Sequence, residues 1–358
     1  MSDNLIEQAR AILSALALPG GGVLGGSDRL VGPSLAGGRL SAAIAVTPDE
    51  AAAFEPLRQQ AQEALHAIAP GAMVTLTAQA APQPSAQPPR LGNAPENGLS
   101  RVRHIIAVAS GKGGVGKSTT AANLALALRA LGLRVGLLDA DIHGPSVPTL
   151  LGLHAAPRVT AERRLIPAEA HGISAMSMGL LVDPETAMIW RGPMVQSALK
   201  QLLHEVEWGQ LDVLVLDMPP GTGDAQLAIA QGVGIAGAVI VSTPQDLALI
   251  DARRGIAMFR KTDVPILGVV ENMAHFICPD CGNRHAIFGQ AGARDEAARL
   301  GVPFLGEVPL TMELRQASDA GRPVVSLDPG GVLGQAYINI ARAVLDRLTS
   351  AAQPQQQQ

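Results

Sequence analysis

Aromatic and cysteine side chains are nearly absent from this chain. Of 358 residues, five are Phe, two Trp, one Tyr and two Cys. So few rings mean a core built from aliphatic side chains, and two cysteines cannot make a disulfide framework. An excess of one charge is missing too. Against 31 Asp and Glu stand 27 Lys and Arg, and the net charge of -4 offers no electrostatic basis for binding nucleic acid or an anionic membrane. No apolar run reaches the roughly 18 residues that a membrane span needs. The opening Met1-Ser2-Asp3-Asn4 lacks the basic-then-apolar layout of a signal peptide, so a cytoplasmic location is expected.

Glycine, by contrast, is plentiful at 39 residues, and one glycine run carries the most information. Gly111-Lys112-Gly113-Gly114-Val115-Gly116-Lys117-Ser118 fits G-x-x-x-x-G-K-[ST], the loop that wraps nucleotide phosphates in its backbone N–H groups. The apolar run from His104 to Ala109 reads as a buried strand. Thr119 to Leu131 has Leu and Ala at helical spacing, with Gly132 as a stop. Strand, glycine loop and helix N-terminus make an anion site, since first-turn N–H groups and the helix dipole both face the phosphate. ATP is therefore expected along Gly111 to Thr119, with Lys117 on the outer phosphates and the Ser118 hydroxyl on Mg²⁺. A glycine loop without a nucleotide is the bland alternative.

Two further strands end in carboxylates. Arg134 to Leu138 leads into Asp139-Ala140-Asp141-Ile142-His143-Gly144-Pro145-Ser146, and Leu211 to Leu216 leads into Asp217. Residues at the C-terminal ends of parallel strands lie beside the ligand crevice. Asp141 is expected to orient the attacking water, Asp139 to help hold the metal shell, and Asp217 to act as the Walker B carboxylate. Solvated turn carboxylates are the alternative for the first pair. Pro219-Pro220-Gly221-Thr222-Gly223-Asp224 follows as a segment suited to sensing the γ-phosphate.

Alternating strands and helices over 101–349 predict an α/β fold, a doubly wound and mostly parallel sheet of P-loop NTPase type. A helix near Leu5 to Leu16, strand patterns near Leu30 and Gly38 to Val46, a helix from about Pro48 to Ile68 and a strand at Ala72 to Leu76 predict a small α+β domain over 1–80. Between them, 81–100 reads as a Pro/Gln-rich linker, and 350–358 as a disordered Gln-rich tail. Met176, Met178, Met188 and Met194 read as core packing rather than as a groove.

Cys278-Pro279-Asp280-Cys281-Gly282 is the other informative segment. Thiolates three positions apart on a Gly/Pro turn converge on one metal, in zinc knuckles and iron–sulfur sites alike. Such sites take about four protein ligands, and a two-fold axis that unites the same loop from two chains is the economical way to supply them. A redox dithiol or a local disulfide is the alternative, the latter disfavoured in a reducing cytosol. His275 and His285 flank the pair, as further ligands or as plain loop residues.

The string Lys112 to Thr119 resembles the deviant Walker A of dimerising ATPases such as the Min and Par proteins, the arsenite-pump ATPase and nitrogenase iron protein. In that class the extra lysine, here Lys112, reaches a partner's nucleotide; a surface lysine is the alternative. With Asp139 to Ser146, Trp190-Arg191-Gly192-Pro193-Met194, Asp217 to Asp224, Glu271-Asn272-Met273 and the CxxC, residues 100 to 345 resemble the Mrp/ApbC family of iron–sulfur cluster carrier ATPases. The resemblance implies a homodimer that holds a labile [4Fe-4S] cluster on Cys278 and Cys281 of both chains. It further implies passage of the cluster to apo iron–sulfur client proteins, supply by an upstream assembly scaffold, and slow Mg²⁺-dependent ATP hydrolysis. On the same basis Asn272 is the candidate for reading the adenine edge. The N-terminal piece faintly resembles the metal–sulfur-cluster-assembly domain, yet Val46-Thr47-Pro48-Asp49-Glu50 has no cysteine where that domain often carries one, so partner docking is the better expectation. A positioning ATPase would bring an amphipathic membrane helix or a basic DNA surface. A reductase resembling nitrogenase iron protein would bring two widely separated cysteines. A zinc-stapled dimer acting in protein targeting shares the ligand spacing and remains the runner-up.

Overall fold

The computed structural model describes residues 2–19, 21–27, 29–36, 39–46, 50–78, 98–182 and 192–351. Most of the expected linker, 81–97, lies outside these residues, as do the tail from 352 onward, Met188, Trp190 and Arg191. Two compact units are present, 1–89 and 90–358.

The first unit runs α1 (Ser2–Ser14), β1 (Leu30–Ala36), β2 (Arg39–Val46), α2 (Ala51–His66) and β3 (Met73–Ala78). Its sheet has the order β1-β2-β3, with β1 antiparallel and β3 parallel to β2. Leu40, Ala42 and Ile44 are buried while Ser41 and Ala43 are only partly so, the period-two signature of a sheet covered on one face. That face packs on Ala9 and Leu13 of α1 and on Phe54, Leu57, Ala61 and Leu65 of α2.

The second unit is an α/β sandwich around a nine-stranded sheet. In chain order its elements begin with β4 (Val102–Ala109), α3 (Lys117–Ala130), β5 (Val135–Asp139), α4 (Val147–Leu151), β6 (Ala168–Ala170) and β7 (Ile173–Ser177). They continue with α5 (Gly192–His204), β8 (Leu211–Asp217), α6 (Asp224–Gly232), β9 (Ile235–Ser242), α7 (Asp246–Lys261) and β10 (Ile266–Ile277). The last are β11 (Arg284–His285), α8 (Gly292–Leu300), β12 (Phe304–Leu310), α9 (Met312–Asp319), α10 (Val324–Leu327) and α11 (Val332–Ala351). The sheet order is β11-β10-β9-β4-β8-β5-β7-β6, with β12 also on β10. All pairs are parallel except β10 with β11 and β6 with β7.

Helices cover both faces, which is why the strands read as nearly unbroken aliphatic runs. Along β4, Ile106 and Val108 face the core beneath α3 and α11, while Ile105, Ala107 and Ala109 face the core beneath α5, α7 and α8. Parallel connections then deliver the loops after β4, β5, β8, β9 and β10 to one edge, where the site lies. Met176 and Met178 are buried in this core as expected, but Met194, expected there too, is 40% exposed. It lies on the amphipathic α5, whose Val195, Ala198, Leu199 and Leu202 take the inward face. Among the described residues no helix is long and apolar enough to cross a membrane.

Phe259 on α7 is fully buried, whereas Leu247 on the same helix is 71% exposed. Phe259→Ala is expected to cost about 3–5 kcal/mol of unfolding free energy, and Leu247→Ala to stay within about 0.5 kcal/mol. Urea denaturation of both variants checks the packing of α7.

Candidate nucleotide cleft and cysteine hairpin

The loop after β4 is shaped by its glycines. Gly114 and Gly116 both have φ of 79°, in the left-handed region that side chains other than glycine enter at a cost. A Cβ on Gly116 would lie 2.1 Å from the Asn272 amide nitrogen, and one on Gly111 would lie 2.2 Å from the Asp251 backbone in α7. The Ser110 hydroxyl donates to the Lys112 carbonyl at 2.8 Å. With α3 beginning at Lys117, the unbonded N–H groups of its first turn open on a cleft of about 240 Å³. Gly113, Lys117, Ser118, Thr119, Asp141 and Ser146 are among its lining residues.

Lys117 is buried and its ammonium donates to the Ser118 hydroxyl at 3.2 Å and to Asp217 Oδ1. Asp217 is completely buried, and its Oδ2 has no hydrogen-bond partner. Burial pushes the Asp217 carboxyl up, and the Lys117 ammonium beside it pulls the other way. An unpaired carboxylate oxygen beside a hydroxyl is the hard-oxygen donor set that Mg²⁺ prefers, so these residues fit the expected ion.

Asp139 is bonded within its own loop. It is almost fully buried, and its Oδ1 accepts from the Asp141 N–H at 3.1 Å. Its Oδ2 accepts from the Ser146 N–H at 3.0 Å, the Val147 N–H at 3.1 Å and the Ser177 hydroxyl at 3.0 Å. Both oxygens thus accept from the backbone of the loop or from β7. Asp139 anchors the segment that carries Asp141. Burial first, and the neighbouring Asp217 second, push its carboxyl up to about 7. Asp141 does line the cleft, and its Oδ1 accepts from the Gly144 N–H at 3.2 Å.

Asn272 is buried beside the P-loop. It is 3% exposed, its Nδ2 donates to the Val115 carbonyl at 2.8 Å, and it does not line the cleft. The amide holds the P-loop from beneath. Lys112 lines the cleft, and among the described residues its ammonium makes no hydrogen bond or ion pair. Two contacts escaped sequence reasoning. Gln226, buried at the start of α6, donates to the Pro219 carbonyl, and the Gly221 N–H donates to the Ser110 carbonyl at 3.0 Å. Together they join the segment after Asp217 to the P-loop. No local pattern announces either, because both link residues by tertiary packing.

The cysteines occupy the tip of the β10–β11 hairpin, where Phe276 pairs with His285 and Ile277 with Arg284. The Cys278 N–H donates to the Asn283 carbonyl at 3.0 Å and the Gly282 N–H to the Cys278 carbonyl at 2.9 Å, with Gly282 at φ 70°. The N–H groups of Cys281 and Asp280 pull the Cys278 thiol down, towards the thiolate that binds metal. Cys281 is exposed. Among the described residues no three or more His, Cys, Asp or Glu converge to hold a metal ion, so His275 and His285 do not complete the site within one chain.

Residues 101–345 match a ParA family model described as the NUBPL iron-transfer P-loop NTPase. An iron–sulfur cluster carrier protein of Pseudomonas fragi is 54% identical over 246 residues, 68% of this chain and 86% of its own length. An iron–sulfur protein required for mitochondrial NADH dehydrogenase in Arabidopsis thaliana is 54% identical over 258 residues, 72% of this chain and 82% of its own. A nucleotide-binding protein from Archaeoglobus fulgidus, solved in complex with ADP, is 42% identical with a TM-score of 0.56, covering 63% of this chain and 88% of that one. The cell-division ATPase MinD of Pyrococcus furiosus, 21% identical with a TM-score of 0.51 over 68% of this chain and 98% of that one, shares the fold.

The buried Lys117–Asp217 pair makes the P-loop lysine a structural residue as well. Removing one partner of a buried pair costs about 3–5 kcal/mol, so Lys117→Ala is expected to destabilise the nucleotide-free protein by roughly that amount near pH 7. Burial raises the Asp217 carboxyl above its ordinary 3.8, so folding with it neutral is favoured at low pH. The deficit therefore widens as pH rises above that value and shrinks as pH falls towards it. Denaturation of Lys117→Ala and of Lys117→Ala/Asp217→Asn across this range checks the pair: the double variant recovers most of the loss and flattens the pH dependence.

Proposed function

The chain belongs to the ParA-type family of iron-transfer P-loop NTPases, and from that premise we propose that it is a cytoplasmic iron–sulfur cluster carrier. A [4Fe-4S] cluster is its cargo, held between Cys278 and Cys281 of one copy and the same pair of a second copy. An upstream assembly scaffold loads it, and apo iron–sulfur proteins receive it. The observation that carries this reading is a half-complete site: two thiols at the exposed tip of a hairpin, with no third ligand converging on them among the described residues. A cluster is commonly held by four thiolates, and two hairpins related by a two-fold axis supply that number.

ATP binding and slow hydrolysis serve the transfer. The first-turn N–H groups of α3 and the Lys117 ammonium hold the phosphates. Mg²⁺, held by Ser118 and Asp217, neutralises phosphate charge when bound. Asp141, on the cleft wall, orients the attacking water. Lys112, without a partner among the described residues, adds positive charge at the phosphates of the second copy, which ties hydrolysis to the closed dimer. The segment from Asp217 to Asp224 is bonded to the P-loop through the Gly221 N–H and carries the state of the γ-phosphate away from the cleft.

Anaerobic reconstitution followed by iron, sulfide and zinc analysis tests the proposal. About four iron and four sulfide per two chains are expected, and Cys278→Ala should lose them. About one zinc per two chains with no uptake of iron would overturn the carrier reading and favour a zinc-stapled dimer.

A further inference from the structure

One strand touches both the nucleotide loop and the cysteine hairpin. Strand β10 is fixed as far as Glu271, which pairs with Ser242 of β9 and with Glu307 of β12. The buried Glu271 carboxylate also accepts from the Ala293 N–H at 2.6 Å at the start of α8. The next residue, Asn272, donates to the P-loop carbonyl of Val115 at 2.8 Å, and its amide fills the space a side chain at Gly116 would need. That donor assignment is fixed by chemistry, since a carbonyl can only accept. Met273 follows at φ 56°, a left-handed setting that is uncommon for a long side chain and is kept only where the surroundings impose it. The pairing with β12 is irregular here: Asn272 stands opposite Val308 and Phe276 opposite Leu310, so β10 holds two extra residues across this stretch. Beyond it the strand enters the hairpin that carries Cys278 and Cys281.

We infer that Asn272 is a positioning residue that makes the setting of the cysteine hairpin depend on the state of the P-loop, with Met273 as the pivot. This rests on the carrier reading for its purpose, though not for its geometry. Phosphate entering the cleft competes with Asp217 for the Lys117 ammonium, and the loop must readjust. The Val115 carbonyl and the Gly116 backbone bear on the Asn272 amide, so the adjustment reaches β10. Strand β10 cannot shift before Glu271, which is paired on both sides. The bulge after Asn272 has slack, and a backbone angle far from the strand region marks where it turns. The two hairpin settings then differ in nucleotide affinity, and that difference is what lets ATP choose between them.

The test uses the cluster-free, full-length chain and reads the rate at which a thiol-alkylating reagent modifies Cys278 and Cys281, with and without Mg²⁺ and a non-hydrolysable ATP analogue. In the wild type the nucleotide should change that rate by about fivefold or more, the lower end of ordinary coupling between sites. Met273→Gly frees the pivot: binding of the analogue should be unchanged, while the effect on the rate falls below about twofold. Met273→Asn, which tolerates the left-handed setting, should retain the effect. Asn272→Ala should lose it and weaken analogue binding as well. The inference is overturned if the wild type shows no nucleotide effect, or if Met273→Gly and Asn272→Ala keep it in full. Iron and sulfide uptake, measured separately, decides the carrier reading and leaves this comparison untouched.

Discussion

Two buried carboxylates stand opposite one another at the ends of neighbouring strands, Asp139 of β5 in register with Asp217 of β8, and the cleft is arranged around them. Two like charges side by side in a dry environment disfavour each other's ionisation. The structure resolves this in different ways for the two groups. Asp217 receives the ammonium of Lys117 from the first turn of α3. Asp139 receives three backbone N–H groups and a hydroxyl, which fold the loop between β5 and α4 around it. The P-loop lysine, the buried Asp217 carboxylate and the loop bearing Asp141 are thus held in one electrostatic arrangement. A phosphate that takes Lys117 changes the balance for all of them.

The parts of this arrangement that were legible in the sequence are those whose residues are neighbours in the chain. The run Gly111 to Ser118 announces a strand-loop-helix by itself, because close approach to phosphate requires glycine at set positions. Asp217 was readable as the end of an aliphatic strand, and the CxxC as a turn because Gly and Pro punctuate it. The helix expected at Leu5 to Leu16 forms at Ser2–Ser14, an offset of the kind that frayed ends produce. What could not be read is the pairing of distant residues. Asn272 and Val115 are 157 residues apart, and nothing in Glu271-Asn272-Met273 shows that the amide lies under the loop. Asp139 and Asp141 look alike in the sequence, and only the fold of the loop after β5 separates an anchor from a residue on the cleft wall. The left-handed Met273 was equally hidden, since a methionine inside a strand gives no local sign of such a backbone.

On the proposed reading, function in this chain depends on incompleteness. The cleft lysine Lys112 has no partner of its own among the described residues, and the hairpin offers two thiols for a cargo that commonly takes four. On that reading each deficiency is supplied by the same object, a second copy on the same symmetry axis, which would make the nucleotide state and the cargo state properties of the pair. Strand β10 adds a connection within each chain, because the amide beneath the P-loop and the cysteines at the hairpin tip lie on one continuous stretch of backbone. A labile cluster needs this sort of control: bound too firmly it is not delivered, and held in a single exposed turn it is lost to solvent.

Sharing of one cluster between two chains is the central claim, and mixed pairs test it most directly. Wild-type chains carrying one affinity tag are co-expressed with Cys278→Ala/Cys281→Ala chains carrying another. Homodimers and mixed dimers are then separated, and iron is measured in each. The account predicts iron and sulfide in wild-type pairs alone, with mixed pairs nearly empty although they still bind nucleotide. Full iron in mixed pairs, or in single wild-type chains, would contradict it, because each hairpin would then be a complete site.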